Sequence, residues 1–163
     1  MVEPVTRSGK AAARSVTAPK ASRYFRVPEK SLPNENDLQK RRDIQIMPSN
    51  IINLEIVLDR VQNDTGLLLE LLRDFERDFR AKRKVIGQAA ARREFEKMQE
   101  AVHSLKGAAG NIAADPIYNS LMIVENLIKY QDVDMIREVL RDIDQQFLEL
   151  QAFIVEFKKR KGS

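Results

Sequence analysis

The 163 residues include no cysteine and a single histidine. The first absence excludes disulfides, thiolate metal sites and thiol catalysis, and it fits a reducing compartment. The second argues against a histidine-built metal cluster and against a Ser-His-Asp triad, so no metal site is expected. No apolar run approaches the roughly 18–20 residues that a membrane span needs. The N-terminus lacks the apolar core of a signal peptide. The expectation is a cytoplasmic protein with no membrane span.

Proline and charge are unevenly placed. Residues 1–48 hold five of the six prolines, and ten Lys/Arg against five Asp/Glu. Residues 49–163 hold eighteen basic side chains against nineteen acidic ones, so the net charge of +4 belongs to the leading segment. A nucleic-acid role for the whole protein therefore loses most of its support. "SGKAAARSVTAPKASRYFR" is small, polar and basic, and it cannot bury enough apolar surface to offset its ordering entropy. Residues 1–48 read as a disordered tail or linker, and residues 49–163 as one folded domain.

From Pro48 onward the apolar pattern is helical, and no stretch alternates like a strand. A short helix is expected near Leu54–Gln62, with Asn53 as its N-cap. Asp64 caps a second, near Thr65–Ile86, with the stripe Leu68, Leu72, Phe75 and Phe79. A third, near Ala89–Ile112, carries Phe95, Met98, Val102, Leu105, Ala109 and Ile112 on one face. Asp115 reads as an N-cap followed by Pro116 at the first helical position. That opens a fourth helix with Ile117, Leu121, Val124 and Ile128 inward. Asp132 starts a fifth, with Ile136, Val139, Ile143, Phe147, Leu150, Ile154 and Phe157 on its inner face. The fold class is all-α: an antiparallel up-down four-helix bundle with a short extra N-terminal helix.

The stretch "AVHSLKGAAGN" stands out within the third helix. At 100° per residue, His103 points about 130° away from the apolar stripe, toward solvent. Its helical neighbours are Gln99, Lys106, Gly107 and Gly110. Each interior glycine costs a helix about 0.8–1 kcal/mol relative to alanine. Neither lies on the core face, so the reason left is clearance for another molecule beside the imidazole. Lys106, one turn along, supplies positive charge that suits an anion attached to the ring. The plain alternatives are that a lone exposed histidine is a surface residue, and that Gly110 is an early helix stop.

At these residues the sequence resembles the histidine-containing phosphotransfer (HPt) domain family. The family's His-x-x-Lys-Gly core stands here as His103-Ser104-Leu105-Lys106-Gly107, followed by Ala108, Ala109, Gly110 and Asn111. The resemblance extends over most of residues 50–158, including "LLLELLRDFERDF" and "DVDMIREVL". Ala113 departs from it, since the family often has glycine ten positions after the histidine.

The resemblance implies a phosphorelay intermediate. His103 would accept a phosphoryl group from a receiver-domain phosphoaspartate and pass it to an aspartate on another receiver. Lys106 would offset phosphate charge, Gly107 would give steric clearance, and Gln99, Ser104 and Gly110 would support them. The chain would bind no cofactor itself, with Mg expected on the receiver. Its partners would be response-regulator receiver domains and a hybrid histidine kinase, and it would be a monomer. No nucleotide-binding loop is evident, so it reads as a covalent carrier rather than a stand-alone kinase.

A receiver must dock over His103. Leu69, about 110° from the core direction of the second helix, and Leu67, about 90° from it, are the docking candidates. A competing reading is a non-catalytic helical adaptor that binds receivers without phosphotransfer. Another places the function in residues 1–48, as a basic arm for nucleic acid or a membrane surface.

Overall fold

A computed structural model of the chain describes residues 50–161, together with Glu35; the tail assigned to residues 1–48 lies outside that range apart from this residue. Five helices follow in order: α1 (Leu54–Arg60), α2 (Thr65–Arg92), α3 (Phe95–Asn111), α4 (Asp115–Tyr130) and α5 (Val133–Lys161). Short turns join α2 through α5, so consecutive helices run antiparallel. Each packs on the next, and α5 closes back onto α2. Short α1 lies against α2 and the turn that follows α3, where the Asn53 N–H donates to the Ala113 carbonyl at 2.8 Å.

The helix starts follow local side-chain chemistry. Asn53 Oδ1 accepts from the Ile56 N–H at 3.2 Å. Asp64 Oδ1 accepts from the Gly66 and Leu67 N–H groups at 2.8 and 3.0 Å. Those bonds, the one from Leu67 foremost, outweigh the desolvation that opposes them, and with the Lys161 charge hold the Asp64 carboxyl below its ordinary range. Asp132 Oδ1 accepts from the Met135 N–H at 3.1 Å. These three satisfy N–H groups that a helix end otherwise leaves unpaired.

Two boundaries differ from the sequence expectation. Asp115 is the first residue of α4, and Ala114 holds the cap position with no side-chain bond. The break expected before Ala89 falls instead at Arg93, because α2 continues to Arg92. Ala89 and Ala90 are good helix formers and both are buried, so nothing stops α2 there. The chain turns where Arg93 adopts a left-handed conformation (φ 58°) and the Glu94 N–H reaches back to the Ala89 carbonyl at 2.9 Å.

The inner faces build one core. Leu68, Leu72, Phe75 and Phe79 of α2 are buried, as are Ile117, Leu121, Val124 and Ile128 of α4. On α3 the stripe is buried from Met98 to Ile112, while Phe95 at the rim is half-buried. On α5 Leu140 takes the deep position in place of Val139, and Phe153 joins the face. The Phe79 and Phe147 rings stack with centroids 3.8 Å apart, tying α2 to α5. Burying each such large side chain contributes about 1.5–3 kcal/mol, and this packing holds the outer face of α3 in one orientation.

Ala113 has φ 52°, in the left-handed region, at the end of α3. Glycine would meet that backbone requirement without the Cβ penalty. Here the residue is 2% exposed and its carbonyl is engaged by Asn53. Arg60 adds to the same corner, donating to the Gly110 and Asn111 carbonyls at 2.6 and 3.0 Å. Both carbonyls lie in the last turn of α3, where the helix dipole favours a cation, and that of Gly110 also accepts from the Ala113 N–H at 3.1 Å.

Candidate functional site

Val102, Leu105 and Ala109 are anchored in the core, which forces the intervening residues of α3 outward. The His103 side chain is 74% exposed. A Cβ built on Gly107 would meet nothing within 4 Å, so the surface one turn beyond the imidazole is open.

Gly110 differs. A Cβ there would meet the Tyr118 ring of α4 at 3.5 Å, an ordinary contact. Tyr118 flanks this position, so the surface at Gly110 is less open than at Gly107, yet a Cβ fits beside the ring. Gly110→Ala should therefore be tolerated, raising stability by up to about 1 kcal/mol, as read by thermal unfolding.

The imidazole has a partner that the α3 motif does not contain. Glu125, on α4, faces the outer edge of α3. Its Oε1 lies 3.0 Å from His103 Nδ1, and its Oε2 accepts from Lys106 Nζ at 2.5 Å. Burial pushes the Glu125 carboxyl upward, but the hydrogen bonds from Lys106 and His103 outweigh it and hold the group below its ordinary range. Glu125 is therefore an ionised acceptor at neutral pH. A carboxylate at Nδ1 requires the proton on that nitrogen, which leaves the lone pair on Nε2. No protein partner engages Nε2 among the described residues. In its neutral form the imidazole then has one tautomer favoured by Glu125 and a nucleophilic nitrogen, Nε2, open to a partner.

A family model for the Hpt domain matches residues 70–153, spanning α3, α4 and this cluster. The chain belongs to the Hpt domain family. Hpt domains serve phosphotransfer in two-component signalling and interact with receiver domains. A comparison with curated proteins finds no match. No helix among the described residues is long and apolar enough to cross a membrane. No group of three or more His, Cys, Asp or Glu side chains among them could hold a metal ion.

The other residues singled out on this Hpt domain are placed as follows. Lys106 is not extended freely toward solvent. Its side chain is 17% exposed and bound to Glu125. Gln99 is half-buried and Ser104 exposed, and no hydrogen bond joins either to the ring. Leu67 is 43% exposed, whereas Leu69 is half-buried against the core. Sequence reasoning missed Glu125 because it lies 22 positions from His103. One signal was available: apart from Asp115 at its start, Glu125 is the only acid in α4, and it sits beside the buried Val124.

Proposed function

We propose that this Hpt domain is a phosphorelay intermediate, with His103 as the phosphoacceptor. The observation that carries the reading is the exposed imidazole whose Nδ1 is held by Glu125 while Nε2 stays available beside the open surface at Gly107. The Nε2 lone pair attacks the phosphorus of a receiver's phosphoaspartate. The P–O bond to the aspartate breaks, and its electron pair leaves with the carboxylate. The reverse steps load the next receiver. In-line transfer needs a clear approach along one axis, which the absence of a side chain at Gly107 supplies.

Lys106 holds the Glu125 carboxylate in place and carries positive charge near the incoming phosphoryl group. The receiver brings the divalent cation, and this chain supplies none. Its partners are receiver domains and the hybrid histidine kinase upstream, and it works as a cytoplasmic monomer. The test is incubation with a phosphorylated receiver, read as an acid-labile, base-stable phosphoryl adduct. Receiver binding without any adduct would favour the adaptor reading instead.

Of the two docking leucines, the exposed Leu67 is the one available to a partner. Leu67→Asp should slow labelling by a phosphorylated receiver. It should leave labelling by phosphoramidate, a small donor that needs no docking, unchanged. Equal receiver-dependent rates for the variant and the parent would remove Leu67 from the docking face.

A further inference from the structure

We infer that Glu125 is a positioning residue that keeps the Nδ1 proton on the phosphorylated ring of His103 and so holds the adduct in its labile, transfer-ready form. The inference rests on His103 being the phosphoacceptor.

The chemistry begins with the tautomer. Neutral His103 has its proton on Nδ1, and Nε2 forms the new bond to phosphorus. Both ring nitrogens are then substituted and the ring carries a positive charge. If the Nδ1 proton is lost, the ring becomes a neutral phosphoimidazole. Breaking the N–P bond in that form would return the electron pair to an imidazolate, a poor leaving group. With the Nδ1 proton retained, the same step releases neutral imidazole. The transfer competence of the adduct therefore depends on what faces Nδ1.

Two charged groups are bonded into this cluster: Glu125 directly on Nδ1, and Lys106 on the far oxygen of Glu125. Arg60 is engaged with the last carbonyls of α3. At a distance the Lys106 and Glu125 charges largely cancel. At 3.0 Å the carboxylate oxygen is the group that Nδ1 meets, and an ionised acceptor there favours the protonated ring. Lys106 contributes by keeping that carboxylate ionised and immobile. Glu125 is only 16% exposed, so water weakens the contact less than at an open surface site.

Glu125→Gln separates charge from position, because it keeps an oxygen of the same reach at Nδ1 and removes the negative charge. The full-length parent and variant would be labelled with phosphoramidate. Decay of the adduct would be followed by phosphorus NMR from mildly acidic to alkaline pH. Above neutrality the variant adduct should live longer, on the order of tenfold for each unit by which the carboxylate moves the ring equilibrium. Transfer to a receiver should slow by a similar factor. The pH at which the adduct becomes long-lived should be lower in the variant.

A second measurement does not depend on the variant folding. A proton–nitrogen NMR correlation of the phosphorylated parent at about pH 8 should show the Nδ1 proton retained. Identical decay profiles for parent and variant, or loss of that proton in the parent, would overturn the inference while leaving His103 as the acceptor. Absence of any adduct in both proteins would overturn the phosphoacceptor reading itself.

Discussion

His103→Gln should abolish phosphoryl labelling of the chain and leave its fold intact. The side chain is 74% exposed and takes no part in the core, and surface replacements of that kind usually change stability by no more than about 0.5 kcal/mol. The bond lost is the one to Glu125, which keeps its second partner in Lys106. No other histidine or cysteine in the chain can take over as a nitrogen or thiol nucleophile. The loss should therefore be complete rather than graded. Labelling with a phosphorylated receiver, beside a thermal melt followed by circular dichroism, checks both halves. An acid-labile adduct on the variant would place the acceptor elsewhere.

Gly107→Gln should divide stability from function. The backbone there is ordinary helix, without a positive φ, and a Cβ would meet nothing within 4 Å. Replacing a helical glycine by a good helix former should raise stability by somewhat under about 1 kcal/mol. The same side chain lies one turn from His103, on its face of α3. There it obstructs the approach of a receiver, and displacing reacting groups by about 1 Å can cost on the order of 100-fold in rate. The expected result is a higher melting temperature with receiver-dependent transfer slower by about that factor. Phosphoramidate, being small, should label the variant with a much smaller loss. Gly107→Ala should gain the stability with little of the obstruction. Unchanged receiver-dependent transfer in Gly107→Gln would show that clearance at this position is not needed.

These two outcomes depend on different parts of the molecule. The His103 experiment asks about chemistry carried by one ring, whose tautomer is set from a neighbouring helix. The Gly107 experiment asks about shape, the space that α3 leaves open at a cost in helix stability. Glu125 links the two, since it holds the ring at Nδ1 and leaves Nε2 free of it. Its removal should change the lifetime of the adduct, whereas a bulkier residue at Gly107 should change access to it.

The sequence by itself determined the helices and their inner faces. Apolar spacing of three and four residues is a local property, so Leu68, Leu72, Met98, Leu105, Leu121 and Ile143 could be assigned inward before any packing was known, and all are buried. The N-caps Asn53, Asp64 and Asp132 were legible for the same reason, because a cap acts within three residues. The outward direction of His103 followed from helix geometry alone. The turn at Arg93 was not legible, since no glycine, proline or asparagine marks it and alanines precede it. It forms where α2 and α3 fold back on each other, which is a tertiary event. Only the tertiary structure separated Gly107 from Gly110, since whether open space or the Tyr118 ring flanks the position depends on where α4 lies. Only the packing of α4 on α3 brought Glu125 between His103 and Lys106. A contact across 22 residues leaves no periodic trace, because its geometry is fixed by the angle and register of two helices rather than by spacing within one.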